Sequence, residues 1–353
     1  MNLSDFYKGK KVLITGHTGF KGAWLSKILI GMGADVCGYA LMPQYDENIY
    51  SIIELDKSMN SEIGDIRDLI NLKKIFDKYS PEIVFHLAAQ PIVRDSYLEP
   101  VYTYETNVMG TVNVLESIRT SGKVKSAIIV TTDKVYKNNE WCWGYRETDE
   151  LNGFDPYSNS KSCAELVTSS YIKSFFSESD VKISTVRAGN VIGGGDFSKD
   201  RIIPDCIRSA IKNESIIVRN PYSTRPYQHV LEPLIAYLLI AKEQFDNKNL
   251  ADVYNIGPND QDCLQTGELV DLFCKVWGEQ SWEHKSTEFS PHEANFLKLD
   301  CSKIKNNLKW TPMIDIKKAV NLTVDWHKGY KDGQNVNILM ENQIKDYLNE
   351  LNF

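Results

Sequence analysis

The sequence predicts an α/β fold: a doubly wound parallel sheet with a smaller mixed α/β domain toward the C-terminus. Three observations predict it. Short apolar runs alternate with helix-period segments over residues 1–190, the pattern of strands covered on both faces by crossover helices. A glycine-rich turn joins the first run to the first helical segment, where such sheets place their ligand loops. With 353 residues, 42% of them hydrophobic, the chain can bury a large core and still fold a second lobe against it.

Lys11–Thr15 is the first apolar run, residues 16–22 the turn, and residues 23–32 the first helical period. Asp35–Ala40 reads as a second strand. The amphipathic stretch Leu69–Tyr79 precedes a third at residues 81–87, and residues 126–131 and 182–187 repeat the pattern. After Asn190 the texture changes, with Gly193, Gly194 and Gly195 followed by proline-bearing mixed segments. Residues 253–257 read as a further sheet strand. The expected division is therefore a first domain of residues 1–190, with returning segments at about 230–257 and 313–330. A second domain would comprise about 191–229 and 258–312, and residues 331–353 a helical tail.

Gly16, Gly19 and Gly22 are spaced GxxGxxG between the first strand and helix. Glycine lets the backbone turn tightly and approach a pyrophosphate, while the helix N-terminus offers free N–H groups and a favourable dipole. Alone the string is equally an ordinary turn; between a strand and a helix it reads as the dinucleotide loop of a Rossmann-type domain. The acidic residue that would hold the adenosine ribose of NAD is missing from residues 37–42, but no Arg or Lys pair stands there for a 2'-phosphate, so NAD is expected. Asp65, after the next apolar break, is a candidate acceptor for the adenine amino group.

Tyr157 and Lys161 stand four residues apart, on one helical face. An ammonium beside a phenol favours phenolate, so that the phenol can take an alcohol proton. Tyr7 and Lys11 share the spacing but precede the first strand, whereas Tyr157 follows the strand that ends in Thr131, Thr132, Asp133 and Lys134. Thr132 can hydrogen-bond the substrate oxygen that Tyr157 deprotonates.

With these residues in place the chain resembles an extended short-chain dehydrogenase/reductase, from the glycine loop through 86–90 (HLAAQ), 106–111 (TNVMGT) and the Tyr157 motif to 187–191 (RAGNV). The strings GHTGFKGAW (16–24), QPIVRDSY (90–97), DKVY (133–136), WGYRE (143–147), RPYQHVLEP (225–233) and LKLDCSK (297–303) narrow the resemblance to the CDP-glucose 4,6-dehydratases. It implies tightly held NAD, a nucleotide-sugar substrate, a homodimer or homotetramer, and a place in deoxysugar and surface-polysaccharide synthesis. To NAD it assigns Gly16, Thr18, Gly19, Phe20, Lys21, Gly22, Asp65, Ile66, Leu87, Ala88, Ala89, Gln90, Thr106, Thr131, Tyr157 and Lys161. To the substrate it assigns Arg94, Asn190, Arg201, Arg225 and His229.

The implied reaction oxidises C4 with Tyr157 as base, eliminates water across C5 and C6, and returns the hydride to C6. Asp133 would protonate the leaving C6 hydroxyl. Lys134, where most sugar-nucleotide dehydratases carry Glu, would be either the C5 base, which requires a neutral amine, or a fixed cation for the enolate. A dehydratase of another sugar such as a GDP-heptose or GDP-mannose, a 4-epimerase, and a silent NAD-binding regulator remain as rivals.

Composition excludes other classes. Forty-seven acidic against forty basic residues leave a net charge of -7, which argues against a nucleic-acid surface. Seven cysteines without a CxxC pair fit a reducing compartment. Residues 1–12 lack the blocks of a signal peptide, and no apolar run reaches membrane-spanning length, so no membrane partner and a cytoplasmic location are expected. His17, His86 and His292 lack close-spaced ligand partners, so no metal is expected.

Overall fold

The computed structural model describes residues 2–278, 280–285 and 295–351. Seven strands form one sheet: β1 (Lys11–Thr15), β2 (Asp35–Ala40), β3 (Asn60–Ile63), β4 (Ile83–His86), β5 (Ser126–Val130), β6 (Lys182–Ala188) and β7 (Val253–Ile256). All neighbours are parallel, in the order β3-β2-β1-β4-β5-β6-β7. The order reverses at β1, where Val12 is flanked by Val36 and Ile83. In such sheets the reversal point, beyond the C-terminal ends of the strands, is the usual ligand position.

The central strands are apolar because both their faces are covered: β4 and β5 are buried at every residue. On one face lie α1 (Phe20–Gly31) and α6 (Leu231–Asp246). Both are hydrophobic nearly all round, as befits helices buried on several sides. On the other face α2 (Leu69–Tyr79) and α3 (Gly110–Ser121) show one apolar stripe each. Helix α4 (Pro156–Tyr171) starts at a well-made cap: Asp155 accepts from the Ser158 N–H, and Pro156 fills the first helical position, where no N–H is needed.

Beyond residue 190 the chain adds α5 (Ile202–Ile211), α7 (Thr266–Trp277) and three two-stranded ladders. These pair Val191–Ile192 with Gln228–His229, Thr224–Arg225 with Leu264–Gln265, and Ile216–Val218 with Trp282–His284. Their apolar side chains join the larger core cluster rather than forming a separate one. The run at 253–257 crosses back to the main sheet as β7, at the edge beside β6. Strand β3 escaped the sequence reading because Asn60, Ser61 and Glu62 carry no apolar signal. It is an edge strand paired on one side only.

Helices α8 (Ile316–Lys331) and α9 (Val336–Glu350) close the structure. Glu232, fully buried in the first turn of α6, fastens them. Its Oε1 accepts from the backbone of Met313 and Ile314 at 2.8 and 2.6 Å, and its Oε2 accepts from the Tyr347 hydroxyl at 2.8 Å. Burial outweighs these donors and pushes the carboxyl up to about 7. The folded value therefore lies above the unfolded one, so the native state binds this proton more tightly. Stability falls as pH rises from about 4 to about 7, and the penalty persists above that. Glu232→Gln, which keeps an acceptor without the charge, should melt a few degrees above wild type at about pH 8 and close to it at about pH 4. Thermal denaturation at the two pH values reads this, and an equal offset at both would refute it.

Candidate active site

The loop after β1 is shaped by close backbone approach. Gly16 has φ +82°, and a Cβ there would lie 2.7 Å from the Ala88 nitrogen; one on Gly22 would lie 2.1 Å from the Gly16 carbonyl oxygen. These two glycines let the loop, the helix and the turn after β4 touch. Gly19 differs. It caps α1, and a Cβ there would meet nothing closer than Gly16 O at 3.5 Å. Packing inside the protein does not demand its missing side chain; close approach of a diphosphate to the helix N-terminus does. The residues present thus fit a dinucleotide.

Around the loop, Thr18 donates to the Leu41 carbonyl at 2.8 Å. Ile66 packs where a side chain on Gly110 would stand, and Leu87 and Ala88 lie against Gly16. Gln90 turns inward: its Nε2 donates to Thr103, and its Oε1 accepts from the Ile92 N–H. Thr106 Oγ1 is buried without a hydrogen-bond partner. Asp65 is engaged by Arg67, whose Nη2 and Nε lie 2.6 and 2.9 Å from Oδ2; burial pushes this carboxyl up, and the Arg67 contacts outweigh it to hold it low. Among these residues Thr131 departs most from expectation. Its hydroxyl donates to Glu165 and to the Val186 carbonyl, inside the core.

Thr132 caps a single turn, residues 133–135, at the end of β5. Asp133 is fully buried there. Its Oδ1 accepts from Thr132 Oγ1 at 2.9 Å and from Lys134 Nζ at 3.1 Å, while its Oδ2 is buried without a partner. Lys134 Nζ also donates to Asn190 Oδ1 at 3.2 Å, so the acid, the amine and the amide form one chain.

Tyr157 and Lys161 face this turn from α4. Burial pushes the Tyr157 phenol up to about 12, against a hydrogen bond with Thr132 and the charge of Arg201. The expected lowering of the phenol does not come from Lys161 in the protein alone. That ammonium donates to the Val130 carbonyl at 3.2 Å, and burial brings it down to about 8, with Glu165 opposing. Arg201 pairs with Asp196 at 3.3 Å, and its charge is felt at both Tyr157 and Lys21.

The remaining candidates sort by burial. Arg225 is buried and donates to the Thr224 carbonyl. Arg94 is partly exposed and bridges to Asp200 at 3.5 Å, an acid it shares with Arg219. His229 is fully buried, lies edge-on to Trp24 at 6.1 Å, is brought down to about 3 by burial, and has its Nε2 without a hydrogen-bond partner among the described residues. His17 and His86 are likewise neutral and spend ring nitrogens on Ser61 and on Thr15 and Thr111. Among the described residues no group of three or more His, Cys, Asp or Glu is placed to hold a metal, and His292 lies outside them.

Sequence reasoning missed Asn107 and Glu165. Asn107 donates to the Gln90 carbonyl and to Ser160 Oγ, tying the turn after β4 to α4. Glu165 stands one turn beyond Lys161, and that i, i+4 spacing was its available signal.

The family model described as GDP-mannose 4,6 dehydratase matches residues 13–323. The CDP-glucose 4,6-dehydratase of Salmonella typhimurium is 47% identical over 350 residues, covering 98% of both chains. A dTDP-D-glucose 4,6-dehydratase of Dictyostelium discoideum is 31% identical over 73% of this chain and 60% of its own. Among solved structures, a dTDP-glucose 4,6-dehydratase from Bacillus anthracis in complex with NAD superposes with TM-score 0.78 at 20% identity, over 93% of this chain and all of that one. A UDP-glucose 4-epimerase from Thermotoga maritima reaches TM-score 0.80 at 24% identity, over 91% and 99%. A glycine cradle with open space at Gly19, a Thr-Tyr-Lys set, and relatives matched from end to end converge: the chain belongs to the GDP-mannose 4,6 dehydratase family of nucleotide-sugar enzymes.

Proposed function

We propose that the protein is an NAD-dependent CDP-glucose 4,6-dehydratase, converting CDP-D-glucose to CDP-4-keto-6-deoxy-D-glucose. The observation that carries this is the Asp133–Lys134 pair, hydrogen-bonded at 3.1 Å directly after Thr132 and opposite Tyr157. The 47% identical relative of that name supports the choice of nucleotide. Gly16, Gly19 and Gly22 would hold the dinucleotide's diphosphate, and Lys161 would serve its nicotinamide end. Residues 1–190 with the returning segments serve as the cofactor domain. Asn190, Arg201 and Arg225 hold the nucleotide sugar, with Arg94 at the rim.

When bound, the dinucleotide supplies hydride acceptance at C4 and hydride return at C6, and its positive ring favours the phenolate of Tyr157. Tyr157, steered by Thr132, takes the O4 proton. The resulting 4-ketone acidifies C5. One proton is shared between Asp133 and Lys134, and its two placements are an ion pair or a neutral acid beside a neutral amine. In the neutral form Asp133 gives its proton to the leaving C6 hydroxyl and Lys134 takes the C5 proton, which leaves carboxylate and ammonium. Proton transfer along the 3.1 Å hydrogen bond restores the pair.

The chain is expected to work as a cytoplasmic homodimer or homotetramer. Around α4 and its neighbours, Leu98, Val101, Met109, Phe154, Leu166 and Phe175 are exposed apolar side chains that a second copy would cover. Among the described residues no helix is long and apolar enough to cross a membrane.

Two variants separate the half-reactions. Tyr157→Phe should slow C4 oxidation by about 10²–10⁴-fold while the protein still binds NAD. Lys134→Met should permit oxidation but block water loss, so that reduced nicotinamide accumulates on adding substrate; undiminished turnover would refute the role. Turnover of CDP-, dTDP-, GDP- and UDP-hexoses in deuterated water tests the whole reading. Deuterium at C5 of a 4-keto-6-deoxy CDP-sugar is expected, a product with its 6-hydroxyl intact would indicate an epimerase, and no turnover a silent regulator.

A further inference from the structure

Three lysines converge on the active centre, and two of them are satisfied. Lys161 donates to Val130, and Lys134 to Asp133 and Asn190. Lys21 is different. It sits in the first turn of α1, two residues past the Gly19 cap, and is partly buried. Among the described residues its Nζ makes no hydrogen bond or ion pair; the contact it has is the ring of Tyr237 on α6, 5.9 Å away. The Tyr237 hydroxyl is itself buried and unpartnered. The charged groups that Lys21 faces are Arg201 ahead of α5, Lys161 on α4, and Asp133 and Lys134 after β5. That is three cations and one carboxylate, and the carboxylate's Oδ1 is already taken by Thr132 and Lys134.

An ammonium so placed is completed by an anion arriving at the helix N-terminus. We propose that Lys21 closes on the diphosphate of NAD and takes up a proton as it does so, coupling cofactor binding to its own protonation. The proposal rests on Gly16–Gly22 being the dinucleotide loop. Burial, and then the charges of Arg201 and Lys161, bring Lys21 down to about 7 in the protein alone. A bound diphosphate raises it again. Its contribution to affinity is therefore full below about pH 7 and is lost as pH climbs toward the bound-state value, by at most about tenfold per pH unit. An ordinary lysine, charged throughout this range, produces no such slope.

The test is calorimetric titration of NAD into the full-length chain freed of nucleotide, between about pH 6 and pH 9, in paired buffers of different ionisation heat. Wild type is expected to take up a fraction of a proton above about pH 7 and to bind NAD more weakly as pH rises. Lys21→Arg, charged at every pH, should bind tightly throughout with neither slope nor uptake. Lys21→Met should lose both and bind most weakly, relative to wild type, at low pH. Melting curves of both variants establish that they fold. Wild-type slope and uptake persisting in Lys21→Met would assign the proton to Lys161 and overturn the proposal alone. Wild-type protein that binds no NAD would overturn the loop reading and the proposal with it.

Discussion

The geometry of this centre depends on one buried ion pair, Glu165 with Arg187. Both side chains are almost wholly inaccessible. Glu165 on α4 accepts from Arg187 Nε and Nη2 at 2.9 and 3.0 Å, and from the hydroxyls of Thr131 and Thr185 at 2.5 and 2.9 Å. Arg187 on β6 also donates to the Tyr136 hydroxyl and lies against its ring, and Tyr136 in turn donates to Asn255 on β7. Helix α4 is thereby bolted to three adjacent strands. Such a pair is weak support for stability, because desolvation offsets the attraction, but breaking it by removing one partner costs about 3–5 kcal/mol. What it supplies here is register: it fixes the turn of α4 that carries Lys161, and hence the distance of Tyr157 from Thr132.

Once α4 is fixed, the local charge balance follows. A chain with an excess of acids overall gathers Lys21, Lys134, Lys161 and Arg201 near Asp133, with Asp196 paired to Arg201 and Glu165 acting on Lys161. Global charge thus says little about the site; a nucleotide sugar and a dinucleotide each bring a diphosphate, and few cations suffice when they are concentrated and partly desolvated. The same desolvation acts on the ionisable groups here: it lifts the Tyr157 phenol and lowers the Lys161 and Lys21 amines, in each case favouring the uncharged form.

Much of this was legible in the sequence. Strands β1, β2, β4, β5 and β6 announce themselves because burial on both faces demands apolar runs, and the glycine spacing marks the loop because backbone contact at Gly16 and Gly22 admits no side chain. Burial of individual polar residues was not legible. His229 and Thr131 stand in motifs that read as ligand contacts, and nothing in those motifs announces that one packs on Trp24 and the other donates to Glu165. Asp65 reads as a free acceptor until Arg67, two residues on, is seen folded back onto it. The partners of Glu165 lie as far off as Thr131 in sequence, and no local spacing reveals them. Motifs name residue types in order; which atoms are already spent is decided by packing between elements distant in the chain.

The lysine at 134 illustrates why that matters for chemistry. An Asp-Glu pair that does acid and base work holds one proton over two carboxylates and a net charge of minus one. Asp133–Lys134, in contact at 3.1 Å, replaces one of those acids with a base, so that the same single proton would leave the pair at zero net charge. In the mechanism proposed above the proton count for elimination would be unchanged, while an anion forming at C5 would meet less repulsion. Asp133 is fully buried with one oxygen unpartnered. Asn190, accepting from the Lys134 amine at 3.2 Å, holds that side chain beside it. On the proposed mechanism, position 134 would accept a base in place of an acid because the pair conserves the proton rather than the charge.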